Sequence, residues 1–504
     1  MERWSRVVSS RGEDVAEELP PETPEAEEKP IKQRKNGLYS GVSDELANNM
    51  KSGWADTELH GLEPIAQASH TAARRAALSA RFPGERLVVP AGNLRTRSND
   101  TEYPFRAGTE YTYLTGDQTH DGVLVLEPRK NGALDDGHDA ALYLLPRSNR
   151  ENGEFWLDGH GELWVGRRHS LTEAEQLLGL PAKDVREVAA TLAEATGPVR
   201  VVRGHDASVE AALTDKVTAE RDEELRVYLS EARAVKDEFE IGELQKAVDS
   251  TVRGFEDVVK VLDKAEATSE RYIEGTFFLR ARVEGNDIGY GSICAAGPHA
   301  TTLHWVRNDG DVRSGDLLLL DAGVETHTLY TADVTRTLPI GGRYSAIQRK
   351  VYDAVYEAQE AGIAAVRPGA KYHDFHLASQ RVLAEKLVEW GLLEGPVEQV
   401  LELGLQRRWT LHGTGHMLGL DVHDCAAARR EAYADGTLEP GMCLTVEPGL
   451  YFQADDTTVP EEYRGIGVRI EDDLVVTEDG NRNLSAALPR RADEVEAWMA
   501  DLKK

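Results

Sequence analysis

The sequence predicts the α/β (α+β) class of fold, with two domains in one chain. Short apolar runs alternate with helical stretches from about 60 to 228, which is the pattern of an α/β domain. A long stretch of helical periodicity then begins at Ile241, and the remainder to about 490 mixes strands with two further helices. The length of 504 residues accommodates two or three domains of roughly 150 residues each.

Composition and charge exclude several classes of partner. The hydrophobic share of 40% is enough for real cores, and the net charge of −30 disfavours nucleic acid and anionic membranes. Three cysteines, Cys294, Cys425 and Cys443, fit a reducing compartment better than a disulfide framework. The sequence has no signal-peptide-like apolar core and no run of 18 apolar residues. We therefore expect a cytoplasmic protein without a nucleic-acid or membrane partner.

The first segment, residues 1–40, is predicted to be a disordered acidic tail. Residues 1–30 contain nine acidic and four basic side chains and four prolines, so they bury too little apolar surface to offset the entropy of ordering. An interaction tail is the functional alternative.

Residues 41–235 form the predicted N-terminal α/β domain. A helix near 65–81 leads into a strand at Leu87–Val89, and the charged stretch 220–238 is the expected linker. The other predicted elements are strands at Gly122–Leu126, Ala141–Leu145 and Val199–Val202 and helices at 172–178 and 182–195. Because this domain has no cluster of catalytic side chains, we expect it to shape the substrate site or to form an oligomer.

Residues 236–504 form the predicted second domain. Apolar residues from Ile241 to Leu262 recur at helical spacing. A second helix begins at Ser345, where Gln348 completes a capping box, and ends before Pro368. A third helix is predicted from Asp374 to Gly391.

Three histidines, His412, His416 and His423, lie within one short run of this domain. The first pair has the His-x-x-x-His spacing of a zinc-protease helix, but that motif needs a glutamate at the position of Gly413. Two glycines between the histidines disfavour a helix interior. The run is therefore predicted to be a tight loop that presents imidazoles.

Four carboxylates lie within or at the ends of apolar strands: Asp321, Asp333, Glu447 and Glu471. Because side chains alternate between the two faces of a strand, Asp333 shares a face with Thr331, Thr335 and Thr337. In the same way Glu471 shares a face of its strand with Arg469 and two glycines. We expect these glycines to leave open space beside the two charged side chains. Taken singly, each carboxylate is explained by an ordinary structural role, as a turn residue or as a partner in a local hydrogen bond. Together they favour a shared cation, because uncompensated burial of carboxylates is expensive.

Oxygen ligands with one imidazole suit Mn²⁺, Co²⁺, Fe²⁺ or Zn²⁺, and several carboxylates suggest two ions. Two metals about 3.5–4 Å apart supply a nucleophile and polarise a carbonyl. One histidine suffices as a ligand, which leaves the others free to polarise a carbonyl or move a proton. His304, upstream of the run, is a further candidate, and a satisfied core histidine is its structural alternative.

Five ordered motifs resemble those of the aminopeptidase P branch of the pita-bread metallopeptidases. They are Asp321-Ala322-Gly323, Asp333-Val334-Thr335-Arg336-Thr337, the run His412–Asp424, Val446-Glu447-Pro448-Gly449-Leu450-Tyr451 and Gly465–Asp473. The N-terminal segments Arg97–Arg106 and Tyr113–Gly116 resemble the first domain of the same proteins, so the resemblance covers about 60–490. It implies a creatinase-like α/β domain followed by a pita-bread catalytic domain.

The resemblance also implies residue roles. The metal ligands would be Asp321, Asp333, His416, Glu447 and Glu471, holding two divalent ions per chain, usually Mn²⁺. Glu447 would also be the general base, His304 and His423 would be catalytic, and Tyr290, His412 and Arg469 would bind substrate or organise the site. The two aspartates lie one position further apart than in the family, which implies a bulge or a longer hairpin, and an expected tryptophan near Thr112 is absent.

The implied activity is that of a hydrolase, an Xaa-Pro aminopeptidase acting on peptides with proline in second position, as a homodimer or homotetramer. Prolidase is the alternative activity, because prolidases share the same metal ligands. The N-terminal motifs favour aminopeptidase P. Creatinase-type relatives lack the metal ligands, and inactive pita-bread binding modules have usually lost some of them. All five are present here.

Overall fold

The computed structural model describes residues 42–129 and 137–504. The predicted tail, residues 1–40, lies outside these ranges. The described chain divides into two compact units, of which the first contains the residues up to Glu58 and Pro146–Ser170 and the second contains Leu59–Leu145 and Leu171–Lys504. Within the described ranges, every helix is too short or too polar to cross a lipid bilayer.

The helices, in chain order, are α1 (Asp44–Asn49), α2 (Ala68–Arg81), α3 (Thr109–Thr115), α4 (Glu154–Leu157), α5 (Glu162–Val165), α6 (Leu171–Leu178), α7 (Val188–Ala193), α8 (Ala207–Ala212), α9 (Ala219–Ala232), α10 (Glu238–Ala265), α11 (Glu270–Glu284), α12 (Ala346–Ala365), α13 (His373–Glu389), α14 (Val397–Leu403) and α15 (Ala492–Leu502). The strands are β1 (Arg86–Pro90), β2 (Thr96–Ser98), β3 (Thr101–Glu102), β4 (Val123–Pro128), β5 (His138–Leu144), β6 (Ala182–Asp184), β7 (Val199–Val201), β8 (Asp287–Ile288), β9 (Ile293–Ala296), β10 (Leu317–Ala322), β11 (Val324–Glu325), β12 (Val334–Pro339), β13 (Cys443–Val446), β14 (Gly449–Tyr451), β15 (Gly467–Arg469), β16 (Asp472–Val476) and β17 (Asn481–Asn483).

The first unit contains α1, α4 and α5. Its small core consists of Ala47, Phe155, Trp156 and Leu157, and the ring of Trp54 meets Phe155 edge-on at 5.2 Å. This unit contains none of the predicted site residues.

The second unit begins with a five-stranded sheet in the order β6-β5-β4-β1-β7. The central strands β1, β4 and β5 run antiparallel, and β6 and β7 join the two edges in parallel. The predicted strands are confirmed, but the helix expected over 182–195 is wrong at its start. Residues 182–184 pair with β5 as an edge strand, and the helix begins only at Val188.

The expected linker at 220–238 is also wrong, because most of it is helix α9. Thr218 caps this helix, and Leu225 and Leu229 are buried on one face. The high charge reflects the solvent-facing side of the helix. Leu225 and Leu229 share a core with Leu418 and Leu420, so residues before and after 235 pack together.

Helix α10 confirms the long amphipathic helix. Asp237 and Glu240 form a capping box at its start, and Phe255, Val258 and Leu262 are buried against the sheets of the C-terminal part. The predicted capping box at Ser345 is likewise present at the start of α12, and α13 confirms the third helix.

The C-terminal strands form small antiparallel sheets that position the site. One has the order β12-β10-β9 and another has the order β13-β16-β17. Asp321 pairs with Thr335 across β10 and β12, whereas Val446 pairs with Asp472 across β13 and β16. Between Asp321 and Asp333 the chain forms the short strand β11 and a turn, which is the longer hairpin that the spacing implies.

Candidate metal centre

The four predicted carboxylates converge from two pairs of antiparallel strands. Asp321 lies in β10 and Asp333 directly precedes β12, while Glu447 follows β13 and Glu471 directly precedes β16. Asp321, Asp333 and Glu471 are buried, and Glu447 is half-buried. Each pair of strands thus contributes two carboxylates to the same cluster.

His416 completes a group with the geometry of a metal site. Ligand atoms of Asp333, His416 and Glu471 all lie within 4.8 Å of one another. The Nε2 atom of His416 lies 3.2 Å from Asp333 Oδ2 and 3.7 Å from Glu447 Oε1. Its Nδ1 atom lies 3.1 Å from the carbonyl of Met417, a bond that orients Nε2 towards the carboxylates.

The electrostatics of the cluster fit a cation. Burial raises the pKa of Glu447 to about 7, and burial together with the neighbouring carboxylates raises the pKa of Glu471 well above its usual range. Burial also raises the pKa of Asp321, although Arg469 opposes this. Burial by itself would lower the pKa of the His416 imidazole, but Asp333, Glu447 and the carbonyl of Met417 together outweigh it and raise the pKa to about 9. Crowded buried carboxylates beside one imidazole are the donor set of a divalent transition-metal or manganese site.

A second layer of side chains holds these groups. The hydroxyl of Tyr290 lies 2.6 Å from Asp321 Oδ1 and 2.5 Å from Asp333 Oδ1. The guanidinium of Arg469 forms an ion pair with Asp321 and donates to the Tyr451 hydroxyl at 2.9 Å. The cluster is therefore rigidly oriented before anything binds to it.

Two further interactions hold Glu471 and Asp333 within the cluster. Thr335 donates to Glu471 at 2.7 Å, and the backbone N–H of Asp333 donates to Asp473 at 3.0 Å. The second carboxylate oxygen of Asp473 is buried without a hydrogen-bond partner.

The remaining histidines lie around the cluster. The Nε2 atom of His412 lies 2.7 Å from the Tyr451 hydroxyl, and burial followed by the charge of Arg469 lowers the pKa of His412 to about 3. His423 meets the ring of His416 edge-on at 4.4 Å, and burial followed by the charge of His416 lowers its pKa. His304 lines the same cleft.

The histidine run is a loop, as predicted, and not a zinc-protease helix. Two tyrosines hold its backbone on either side of His416: Tyr372 donates to the carbonyl of Gly415 at 2.9 Å, and the Tyr433 hydroxyl accepts from the N–H of Met417 at 2.7 Å. Neither tyrosine is predictable from the sequence pattern, because both lie outside the run.

All predicted site residues line one cleft of about 630 Å³. Its lining also includes the apolar side chains Ile293, Leu303, Val306 and Val422. Tyr451, Thr335 and Asp473 belong to the site but were not predicted, although each lies within two residues of a predicted one or inside a quoted motif.

The open space expected beside the glycines near Arg469 is absent. A Cβ at Gly467 would lie 2.1 Å from the carbonyl oxygen of Ala300, so this glycine permits close approach of another backbone segment. The apolar residues that alternate with these positions, Ile466, Val468 and Ile470, are buried.

Comparison with known proteins places these features in one family. Residues 242–478 match the model of metallopeptidase family M24, and residues 71–202 match that of the aminopeptidase P N-terminal domain. The chain is 83% identical to Xaa-Pro aminopeptidase 1 of Streptomyces coelicolor over 97% of its own length and 99% of that protein's. The chain belongs to the aminopeptidase P family of M24 metallopeptidases.

More distant members of the aminopeptidase P family support the same assignment. Xaa-Pro aminopeptidase of Escherichia coli is 33% identical and matches 86% of this chain and 97% of its own. The crystal structure of E. coli aminopeptidase P with the inhibitor Pro-Leu superposes with a TM-score of 0.77 and 31% identity, covering 88% of this chain and all of that one. The predicted fold, an N-terminal α/β domain followed by a pita-bread domain, is thereby confirmed.

Proposed function

We propose that this protein is a metal-dependent Xaa-Pro aminopeptidase, which releases the first residue from peptides with proline in second position. The observation that carries the proposal is the convergence of Asp321, Asp333, His416, Glu447 and Glu471 in one cleft of an aminopeptidase P family fold. The near-complete match to proteins named Xaa-Pro aminopeptidase supports this substrate class.

We propose that these five side chains hold two divalent ions, Mn²⁺ in the cell. Asp333 and Glu471 would bridge the ions, Asp321 would complete one position, and His416 with Glu447 would complete the other. The short distances around Asp333, His416 and Glu471 support this division. When bound, such a pair of ions supplies an activated water and polarises the scissile carbonyl.

Glu447 is the proposed general base. Its carboxylate lies in the cleft beside His416, 3.7 Å from Nε2, where a carboxylate can both accept and release a proton. Glu447 would take the proton from the attacking water and pass it to the proline nitrogen, which carries no N–H of its own. His412 Nδ1 lies 3.6 Å from Glu447 Oε2, and the same nitrogen hydrogen-bonds the carbonyl of Gly413 at 2.6 Å.

His304 and His423 are proposed to hold the peptide. Both lie in the cleft beside the apolar residues Leu303, Val306 and Val422, which fit a proline ring. Their imidazoles would donate to the carbonyl oxygen as it gains negative charge. Asp321 would receive the free amine of the substrate, which limits cleavage to the first bond, and Arg469 and Tyr290 keep Asp321 in place.

We further propose a cytoplasmic homodimer or homotetramer whose domains divide between 235 and 236. The three cysteines, which lie buried as free thiols in the described chain, support a reducing location. Light scattering at micromolar concentration tests the assembly, and a monomer alone would contradict it.

A peptide-library digest with Mn²⁺ added, followed by mass spectrometry, tests the activity. We expect loss of one N-terminal residue from Xaa-Pro-Yaa peptides, including Arg-Pro-Pro starts. Matched peptides with an acetylated amine should not be cut, and those with alanine in place of proline should be cut much more slowly. Efficient cleavage of Xaa-Pro dipeptides without cleavage of Xaa-Pro-Pro-Yaa peptides would identify a prolidase instead.

A further inference from the structure

His304 lies on a segment that has little regular structure of its own. A 3₁₀ turn at Gly297–Thr301 follows β9, and residues 302–310 form neither helix nor strand. Leu303, His304 and Val306 of this segment nevertheless line the cleft. Contacts with residues outside the segment must therefore fix the position of His304.

Glu270, the first residue of α11, makes contacts that can do this. Its side chain is fully buried and accepts hydrogen bonds from both ends of the segment, from the N–H of Ala296 at 2.8 Å and from the N–H of Gly310 at 2.7 Å. The N–H of Glu270 donates in return to the carbonyl of Gly310 at 2.9 Å. One carboxylate thus closes the base of the loop.

The same carboxylate also reaches the tip of the loop. The indole N–H of Trp305, the neighbour of His304, donates to Glu270 Oε2 at 2.8 Å. His299 Nδ1 lies 2.8 Å from Glu270 Oε1, and the ring of His299 stacks on Trp305 with centroids 3.9 Å apart. The four contacts are divided between the two oxygens of Glu270, so the carboxylate has one orientation that satisfies all of them.

Two other features hold the loop from outside. Asn308 is buried with φ at +47°, and its amide accepts from the N–H of Cys294 at 2.8 Å and donates to the carbonyl of Ser292 at 2.9 Å. Gly467 in β15 has no side chain, so the backbone of Ala300 packs directly against this strand. These contacts fix the backbone, whereas the hydrogen bond from Trp305 to Glu270 fixes the side chain of the residue beside His304.

We propose that Glu270 is a positioning residue, which sets the place of His304 in the cleft through the indole of Trp305. The inference deepens the proposed function and rests on it for the reaction that His304 assists. A buried carboxylate that accepts several hydrogen bonds is costly to disturb, so it fixes the groups around it. A displacement of about 1 Å in a substrate-positioning group costs up to about 10²-fold in rate.

Two variants test the proposal. Glu270→Gln keeps the shape but turns one acceptor oxygen into an amide donor, and Trp305→Phe removes the indole N–H together with part of the ring that stacks on His299. We expect both to lower kcat by about 10- to 100-fold with full metal content, because His304 is displaced while the metal-binding residues are untouched. Trp498→Phe, which removes the same N–H from a half-buried tryptophan in α15, is the matched control and should retain wild-type kcat.

A double-mutant cycle with His304→Ala separates positioning from general stability. If Trp305 acts through His304, Trp305→Phe should lower kcat less than about twofold once His304 is absent. An undiminished effect of Trp305→Phe in the His304→Ala background would overturn the proposal, as would wild-type kcat for Trp305→Phe alone. Trp305→Phe tests the proposal even where Glu270→Gln fails to fold.

Hydrogen–deuterium exchange gives a readout that does not depend on activity. Peptides covering 302–306 should exchange faster in Glu270→Gln and Trp305→Phe than in the wild type, with unchanged exchange in α15. Unchanged exchange over 302–306 in both variants would contradict the positioning role. Failure of the wild type to cut Xaa-Pro-Yaa peptides would instead contradict the proposed function, so the two outcomes are distinguishable.

Discussion

Asp333 contacts three other groups of the candidate metal centre. Its carboxylate faces the Tyr290 hydroxyl and His416 Nε2, and its backbone N–H donates to Asp473. This residue therefore connects the first pair of carboxylate-bearing strands to the second. The alternation of Thr331, Thr335 and Thr337 with apolar residues predicted its orientation, whereas no local pattern reveals that Asp473 lies against its backbone.

Asp333→Ala should abolish both metal binding and activity, because it removes a proposed bridging ligand. Elemental analysis of the purified variant measures the metal content directly. Asp100→Ala, a change at an exposed aspartate outside the cleft, is the control and should keep the metal content of the wild type. Two metals per chain in Asp333→Ala would show that the ligand assignment is wrong.

His304→Ala and His423→Ala should keep the metals and lose turnover by roughly 10²–10⁴-fold, the usual range for groups that move protons or stabilise an oxyanion. The comparison of kcat with metal content for each variant provides the check. Loss of metal in either one would make that histidine a ligand instead.

At the scale of elements, the loop that carries His423 is held by residues from the N-terminal part of the second unit. Arg106 and Thr109 contact Asp421, with Thr109 Oγ1 donating at 2.6 Å. On the other side of His423, Asp424 accepts from Arg233 and from Lys236, each at 2.9 Å. The two carboxylates that flank His423 thus both have partners outside the loop.

Asp424→Asn should destabilise the protein by about 3–5 kcal/mol at pH 7, because it leaves the fully buried Lys236 ammonium without its counter-charge. Glu231→Gln, at the exposed Arg429 pair, is the control and should cost at most about 1 kcal/mol. Urea unfolding of the three proteins measures both effects. An equal cost for the two variants would contradict the role of the buried pair.

The pH dependence of this ion pair has a definite sign. Burial alone would raise the pKa of Asp424, but Lys236 and Arg233 outweigh it and lower the pKa to about 2. The stabilisation is fully present above the unfolded pKa of about 3.9 and is lost as the pH falls towards 2. The difference in unfolding free energy between wild type and Asp424→Asn should therefore shrink between about pH 4 and pH 2.

Helices and strands differ in how well the sequence predicts them. The capping box at Ser345 predicted the start of α12, and the apolar periodicity from Ile241 to Leu262 predicted most of α10. For helix α9 the sequence predicts a linker instead, because Leu225 and Leu229 are too few to produce an apolar face among so many charges. The strand at Ala182–Asp184 has no strand-like pattern, and its pairing with β5 decides its conformation.

At the scale of the whole molecule, the predicted boundary at 235 does not coincide with a gap in packing. One core contains Leu114 and Leu225 from before the boundary with Leu244, Leu418 and Val475 from after it. Composition and charge cannot reveal such a shared core, because it depends on contacts between residues far apart in sequence.

A fragment of residues 236–504 should consequently be unstable and inactive, even though it contains every proposed ligand. It lacks Arg233, Arg106 and Thr109 and exposes the apolar residues of the shared core. Deletion of residues 1–40, the predicted tail, is the control and should leave the melting temperature and activity nearly unchanged. A fragment with a cooperative thermal transition and wild-type activity would establish 236–504 as an independent domain.

The pairing of Arg469 with Asp321 has a consequence for the time course of folding. The two residues are 148 positions apart, and Thr335 meets Glu471 across 136. Contacts between such distant positions form slowly, because a long loop must be closed at a cost in chain entropy before the contact contributes any stabilisation. Helices such as α10 need only neighbouring residues, so refolding from urea should restore far-ultraviolet circular dichroism well before peptidase activity returns.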